Sequence, residues 1–180
     1  NVVGPPNAID LGTLTDGVTN VQAELAAGAV VWYRFDLAQS VDAVDLEFLN
    51  IDTEGSSIMV GNDTEIGLYS ATGSLVGTDD DDGTDLLSQL TYGSTIPLAA
   101  PGNGQPYNGR DGATLAAGTY YLAVTGFNSV FNPTNWNVSS PHVRTGTLNT
   151  NISLGSIPPG GLPTEFTDLG VLADESPVTS

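Results

Sequence analysis

Apolar and polar residues alternate with a period of two in several short stretches of this chain, which is the pattern of half-buried β-strands. In Val30–Leu37, Val31, Tyr33, Phe35 and Leu37 point one way and Trp32, Arg34 and Asp36 the other. Tyr120, Leu122 and Val124 alternate in the same manner with Tyr121, Ala123 and Thr125. Val44, Leu46 and Phe48 alternate with Asp45 and Glu47, and predict a strand with one wet face. Shorter strands are expected over residues 9–14, 18–25, 136–139 and 145–154, with a polar connection over 50–62. No segment carries a helical period beyond one turn near Asp42.

Residues 63–92 read as strand, turn, strand, acidic loop, strand. Ile66 and Leu68 alternate with Gly67 and Tyr69, Thr72-Gly73 turns the chain, and Leu75 and Val76 resume the apolar pattern. After the loop Leu86, Ser88, Leu90 and Tyr92 alternate again, so the stretch predicts a β-meander. Asp79, Asp80, Asp81 and Asp82 stand at its corner, because aspartate suits turns and disfavours strands.

Eight or more short strands, punctuated by Gly, Pro and Asn, predict an all-β protein, an antiparallel β-sandwich of jelly-roll type. Its facing sides are filled by Tyr33, Phe35, Leu46, Phe48, Ile66, Leu68, Leu90, Tyr120, Leu122 and Val124. Trp32 and Tyr121 fall on the opposite face, where they either cover the other side of the sheet or meet a partner. Residues 1–155 form the sandwich, and 156–180 a Pro/Gly linker with a strand-like tail. A long Gly/Pro-rich loop lies between Gly93 and Thr114.

Charge narrows the partners. The chain has three Arg, no Lys and twenty-one Asp and Glu, a formal net charge of −18. Such self-repulsion argues against nucleic acid or an anionic membrane and favours cations. Charged residues make up only 13% of the chain, so Thr, Ser, Asn and Gly must cover the surface. Cysteine is absent, which removes disulfides and thiolate metal sites. No run approaches a membrane span or a signal peptide. Low lysine with abundant Thr, Asn and Gly points to an extracellular or cell-surface setting.

Calcium takes six to eight oxygens, and a glycine-ended acidic loop offers several at once. The candidate ligands are Asp79, Asp80, Asp81, Asp82, Asp85 and Asp63, the alternation of an extended loop pairing Asp79 with Asp81 or Asp80 with Asp82. The alternative is a solvated acidic turn. Asp52, Glu54 and Asp63 form a second, weaker cluster. His142 is the only histidine and has no nucleophile motif nearby, so it reads as a surface or cap residue. Asn62, Asn137 and Asn151 each begin a glycosylation triplet.

Residues 166–172 (Phe-Thr-Asp-Leu-Gly-Val-Leu) echo residues 9–14 (Ile-Asp-Leu-Gly-Thr-Leu) and follow a Pro/Gly-rich run. A tail copying the first strand either pairs with the sheet edge of a neighbouring subunit, opens a following repeat, or folds back on its own domain. The intermolecular alternative places Phe166, Leu169, Val171 and Leu172 in a contact with another copy, alongside Trp32.

The order of Leu-Ala-Ala-Gly (25–28) before Val-Val-Trp-Tyr-Arg-Phe-Asp-Leu, then Asp-Thr-Glu-Ile-Gly-Leu-Tyr (63–69), Asp-Asp-Asp-Asp-Gly (79–83) and Leu-Ala-Ala-Gly-Thr-Tyr-Tyr-Leu-Ala-Val (115–124) resembles the bacterial pre-peptidase C-terminal domain family. The likeness runs over about residues 9–154. It implies an extracellular β-sandwich that accompanies a secreted peptidase or holds calcium and binds collagen or polysaccharide. This chain departs from that pattern in its long Gly/Pro insertion and in the lack of an attached peptidase. The reading is therefore a non-enzymatic structural, assembly or adhesion protein, a filament or surface-lattice subunit with calcium-supported loops. The alternative is a carbohydrate- or protein-binding accessory module.

Overall fold

The computed structural model describes residues 4–42, 47–93 and 114–156. Twelve strands follow in chain order: β1 (Ile9–Thr13), β2 (Gly17–Leu25), β3 (Val30–Leu37), β4 (Glu47–Asp52), β5 (Ser57–Met59), β6 (Thr64–Ser70), β7 (Leu75–Asp79), β8 (Gln89–Gly93), β9 (Gly118–Gly126), β10 (Val130–Phe131), β11 (Val138–Ser139) and β12 (Thr145–Ser156). One five-stranded sheet has the order β1-β3-β9-β6-β7; the second runs β2-β12-β4-β8, with β5 also on β12. All pairings are antiparallel except β1 with β3. This is an all-β sandwich, as the period-two pattern predicts.

The two sheets face each other across one apolar core. Tyr33, Phe35, Ile66, Leu68, Leu122 and Val124 come from the first sheet, and Leu49, Ile51, Leu90, Tyr92, Leu148 and Ile152 from the second. Each large side chain so enclosed contributes about 1.5–3 kcal/mol by leaving water. A second cluster covers the outer face of the first sheet. Trp32, Tyr69, Tyr121 and Ala123 lie there beneath Phe131, Trp136 and Val138 of the β10–β11 hairpin and its turn. Tyr121 and Trp136 meet edge to face at 4.9 Å, and Trp32 and Tyr69 lie tilted to each other at 5.5 Å. Gly67 on β6 permits this cover, because a Cβ there would stand 2.6 Å from the Phe131 ring.

The structure corrects four sequence expectations. Residues 63–92 are not a meander: β6 and β7 form a hairpin in the first sheet, whereas β8 pairs with β4 in the second. The acidic loop is thus a crossover between sheets. Alternation reports which face of a strand is wet, and says nothing about which sheet it joins. Phe48 has the opposite parity to that expected. Leu49 and Ile51 enter the core, and Phe48 lies against Gly155 on the outer face. The supposed polar connection over 50–62 holds the end of β4 and all of β5. The strand expected over 136–139 is the two-residue β11, paired only with β10. Val44, Leu46, the Gly/Pro-rich segment 94–113 and the tail 157–180 lie outside the described residues.

The core sets an expectation for stability. Leu122, fully buried at the centre of β9, should lose about 2–5 kcal/mol on substitution as Leu122→Ala. Val143, 71% exposed, should change by no more than about 0.5 kcal/mol as Val143→Ala. Denaturant unfolding by circular dichroism measures both, and equal losses would contradict this assignment of the core.

Candidate metal centre

The crossover from β7 to β8 is held by hydroxyl groups. Thr53 Oγ1 lies 2.7 Å from Thr64 Oγ1, which lies 2.9 Å from Ser88 Oγ. Ser88 Oγ is also 2.8 Å from the Thr64 carbonyl and 2.7 Å from that of Asp80, while the Ser88 amide donates to Thr53 Oγ1. All three residues are fully buried. They join the end of β4, the start of β6 and the start of β8, and so fix where the acidic loop leaves each sheet.

Asp79 closes this loop from within. Its Oδ2 accepts the amides of Asp82 and Gln89, each at 2.9 Å. Burial raises its pKa, against these two hydrogen bonds, and the neighbouring Asp82 carboxylate adds to the rise. Glu54 accepts the Thr84 amide at 3.0 Å and the Thr84 hydroxyl as well. Asp79 and Glu54 therefore serve as internal acceptors for loop amides.

With the loop so placed, Asp80 and Asp81 come beside Asp63, the residue before β6. One carboxylate oxygen of each lies within 4.8 Å of the others. Asp63 is 7% exposed and Asp80 partly buried, whereas Asp81 faces solvent. Arg144, just before β12, places Nη2 3.3 Å from Asp63 Oδ2 and donates through Nη1 to the Phe127 carbonyl at 3.0 Å. Its guanidinium stands 5.3 Å from the centre of the Phe127 ring. Glu65, two residues along, accepts the amides of Asn128 and Ser129 at 2.7 and 3.2 Å. Asp63 Oδ1 and Asp80 Oδ1 are sealed from water with no hydrogen-bond partner among the described residues.

The electrostatics follow from this crowding. Burial pushes Asp63 up to about 6, with Arg144 opposing and Asp81 and Glu65 adding. Asp80 rises to about 7 through burial first, then through Asp81, Glu65 and Asp63. Glu65 is raised by burial against the two amides it accepts.

Of the six carboxylates expected to hold metal, the structure brings together Asp63, Asp80 and Asp81. Asp79 turns inward, and Asp82 and Asp85 are not in the group. The pairings expected from alternation, Asp79 with Asp81 and Asp80 with Asp82, do not form the cluster, because the loop folds back on Asp79 and is not extended. Asp52 and Glu54 do not join Asp63 either. Asp52 accepts Asn151 at 2.9 Å, the Glu54 amide at 3.1 Å and Asn50 at 3.0 Å. Asn20, Asn151, Asp52 and Gln89 form one transverse row on the outer face of the second sheet. Trp32 is 8% exposed, under Trp136, and covers the outer face of its sheet. His142 is buried at 3%, not on the surface: Nε2 lies 2.8 Å from the Ala29 carbonyl and Nδ1 accepts the Arg144 amide. Phe166, Leu169, Val171 and Leu172 lie outside the described residues. Sequence reasoning missed Arg144 and Glu65. The signal for Arg144 was its rarity, since one of three cations among twenty-one acids is bound to find a carboxylate.

No protein-family model matches the chain, and no curated protein sequence matches it. Among solved structures, it is similar to Aeromonas hydrophila PliG, a periplasmic lysozyme inhibitor of g-type lysozyme. That match has a TM-score of 0.44 and 9% identity, and covers 82% of this chain and 97% of that one. Salmonella Typhimurium PliG, another periplasmic inhibitor of g-type lysozyme, matches with a TM-score of 0.40 and 12% identity, over 82% of this chain and all of the other.

Asp52 gives a pH test apart from the cluster. Burial raises it to about 6, whereas an unfolded aspartate titrates near 4. Between those values the folded chain binds the extra proton, so stability falls as pH rises through about 6. Thermal unfolding in chelator should give a higher Tm near pH 5 than near pH 8, with the difference reduced in Asp52→Asn. A Tm that climbs over that interval would contradict the assignment.

Proposed function

We propose that this chain is a non-enzymatic extracellular assembly protein, a structural or adhesive subunit whose C-terminal stretch adds a strand to a neighbouring copy. The observation that carries this reading is the work done by Asp10, Leu11 and Gly12 of β1 and by Leu14 just after it. Asp10 Oδ1 accepts the Gly12 amide at 2.9 Å and pairs with Arg34 at 3.1 Å. Gly12 has φ of 72°, which an L side chain adopts only at a cost. Leu11 packs on the core, and Leu14, 5% exposed, donates its amide to the Asp36 carbonyl. The segment is an edge strand and, among the described residues, the only parallel one in its sheet.

The tail repeats these residues. Pro5, Asp10, Leu11, Gly12, Leu14 and Asp16 recur with the same spacing as Pro163, Asp168, Leu169, Gly170, Leu172 and Asp174. A strand with this motif has the chemistry to take the place of β1 beside β3: an acid for Arg34, a glycine for the bend and a leucine for the core. Backbone hydrogen bonds would supply affinity and the leucines register.

Two further features support a binding role over a catalytic one. Both ring nitrogens of His142 are committed to the backbone. Met59, Val60, Leu86, Phe127 and Val143 are large apolar side chains left exposed, and exposed apolar surface, where it is contiguous, is of the kind that meets another protein. No helix among the described residues is long and apolar enough to cross a membrane. The resemblance to pre-peptidase C-terminal domains agrees with an extracellular setting.

Light scattering on the full chain and on a chain ending at Pro163 tests the proposal. The full chain should assemble, the truncation should stay monomeric, and Leu172→Asp should assemble at least about tenfold more weakly, since it sets a charge at the position that corresponds to the buried Leu14. Equal masses for all three would overturn strand addition.

A further inference from the structure

We infer that the free edge of β2 pairs antiparallel with β2 of a second copy, about a two-fold axis at Val21, so that the second sheets of two molecules run on as one. This goes beyond strand addition at β1 and does not rest on it. β2 ends its sheet: one edge pairs with β12 over nine residues without a register shift, and no described strand takes the other. Every second residue therefore directs its N–H and C=O outwards, and a row of such groups is a template for another chain. Proline, lysine, a bulge or a very short strand blunts most edges. Residues 17–25 have none of these. The other outermost strands of the two sheets, β1, β7 and β8, have five residues each.

The strand is complementary to itself. With Val21 opposite Val21 of the second copy, Asn20 faces Gln22, Thr19 faces Ala23, Val18 faces Glu24 and Gly17 faces Leu25. Partners in this register have the same parity, so the outward backbone groups of one copy meet those of the other. Glu24 is the only ionisable side chain of the strand in a chain of net charge −18. It stands opposite Val18, and the second Glu24 lies about 20 Å along the sheet, beyond the Debye length of about 8 Å at physiological ionic strength. Sliding the pairing two residues toward the N-terminus would set Glu24 opposite Asp16, a destabilising like-charge pair. The outward side chains leave the edge clear, because they lean on β12: Asn20 donates to Asn149 and Asn151 at 3.0 and 2.7 Å, Gln22 to Asn149 at 3.1 Å, and Glu24 accepts the Thr147 hydroxyl at 2.8 Å. Gln22 keeps a second amide N–H for Asn20 Oδ1 of the second copy. On the inner side Val21 is half-buried against the core, and the second Val21 covers what remains.

Repulsion between two copies of this charge keeps the contact weak in dilute solution at low salt, so a covalent trap reads it where light scattering does not. The chain has no cysteine, and single cysteines in the full chain, oxidised and run on non-reducing gels, test the inference. Directly opposed residues have Cα atoms about 4.5–5.5 Å apart, within the span of a disulfide. Val21→Cys should form a covalent dimer at least about tenfold faster than Val18→Cys, although Val18 is 53% exposed and Val21 half-buried. The rate should rise with sodium chloride as repulsion is screened. Asn20→Cys mixed with Gln22→Cys, both at exposed positions, should cross-link to each other faster than either does alone. The same order should hold in chains that also carry Leu172→Asp, which separates this contact from assembly through the tail. Equal rates at positions 18 and 21 would mean random collision and overturn the pairing, as would the absence of a dimer from both Val21→Cys and the mixture. Loss of the order in the Leu172→Asp chains would also overturn it, by assigning the proximity to the tail.

Discussion

Three buried hydroxyl groups decide how the two sheets are joined at their acidic end. Thr53, Thr64 and Ser88 belong to the ends of strands that alternation alone would leave unrelated, yet their oxygens stand 2.7 and 2.9 Å apart. Because no water reaches them, each must find its partner within the protein, and the geometry that satisfies them is narrow. Ser88 also takes up the Asp80 carbonyl, so the knot orients the loop as well as the strands. The clustering of Asp63 with Asp80 and Asp81 follows from that constraint.

An acidic chain must place its carboxylates where repulsion is tolerable, and this one does so in three ways. Asp79 and Glu54 are spent on loop amides. Asp52 accepts the side-chain amides of Asn50 and Asn151 and the backbone amide of Glu54. Among the described residues Asp63 and Asp80 have Arg144 as their nearby counter-charge.

The two most amphipathic strands, β3 and β9, were legible because each side of the pleat has its own composition, and their core residues lie where the alternation puts them. The same reading left Trp32 and Tyr121 with two alternatives, and the β10–β11 hairpin decides between them by covering both. Phe48 shows where the method fails. Extending the alternation of Val44 and Leu46 through it places it inside, but Leu49 and Ile51 carry the inward face. Adjacent apolar residues satisfy either parity, and only the partners β12 and β8 select one.

The sequence by itself determined the class of the protein, the identity of its central strands, its acidity and the correspondence between β1 and the tail. These properties are local or compositional, and depend on the period of the pleat, the φ range of glycine and the count of charges. Only the tertiary structure decided that β8 leaves the sheet of β6 and β7, that Asp63 meets Asp80 and Asp81 across the crossover, and that Arg144 and Glu65 stand beside them. Those contacts join residues as much as 81 positions apart. They are set by how two sheets share one core and where buried hydroxyls find partners, and no local pattern of residues records either.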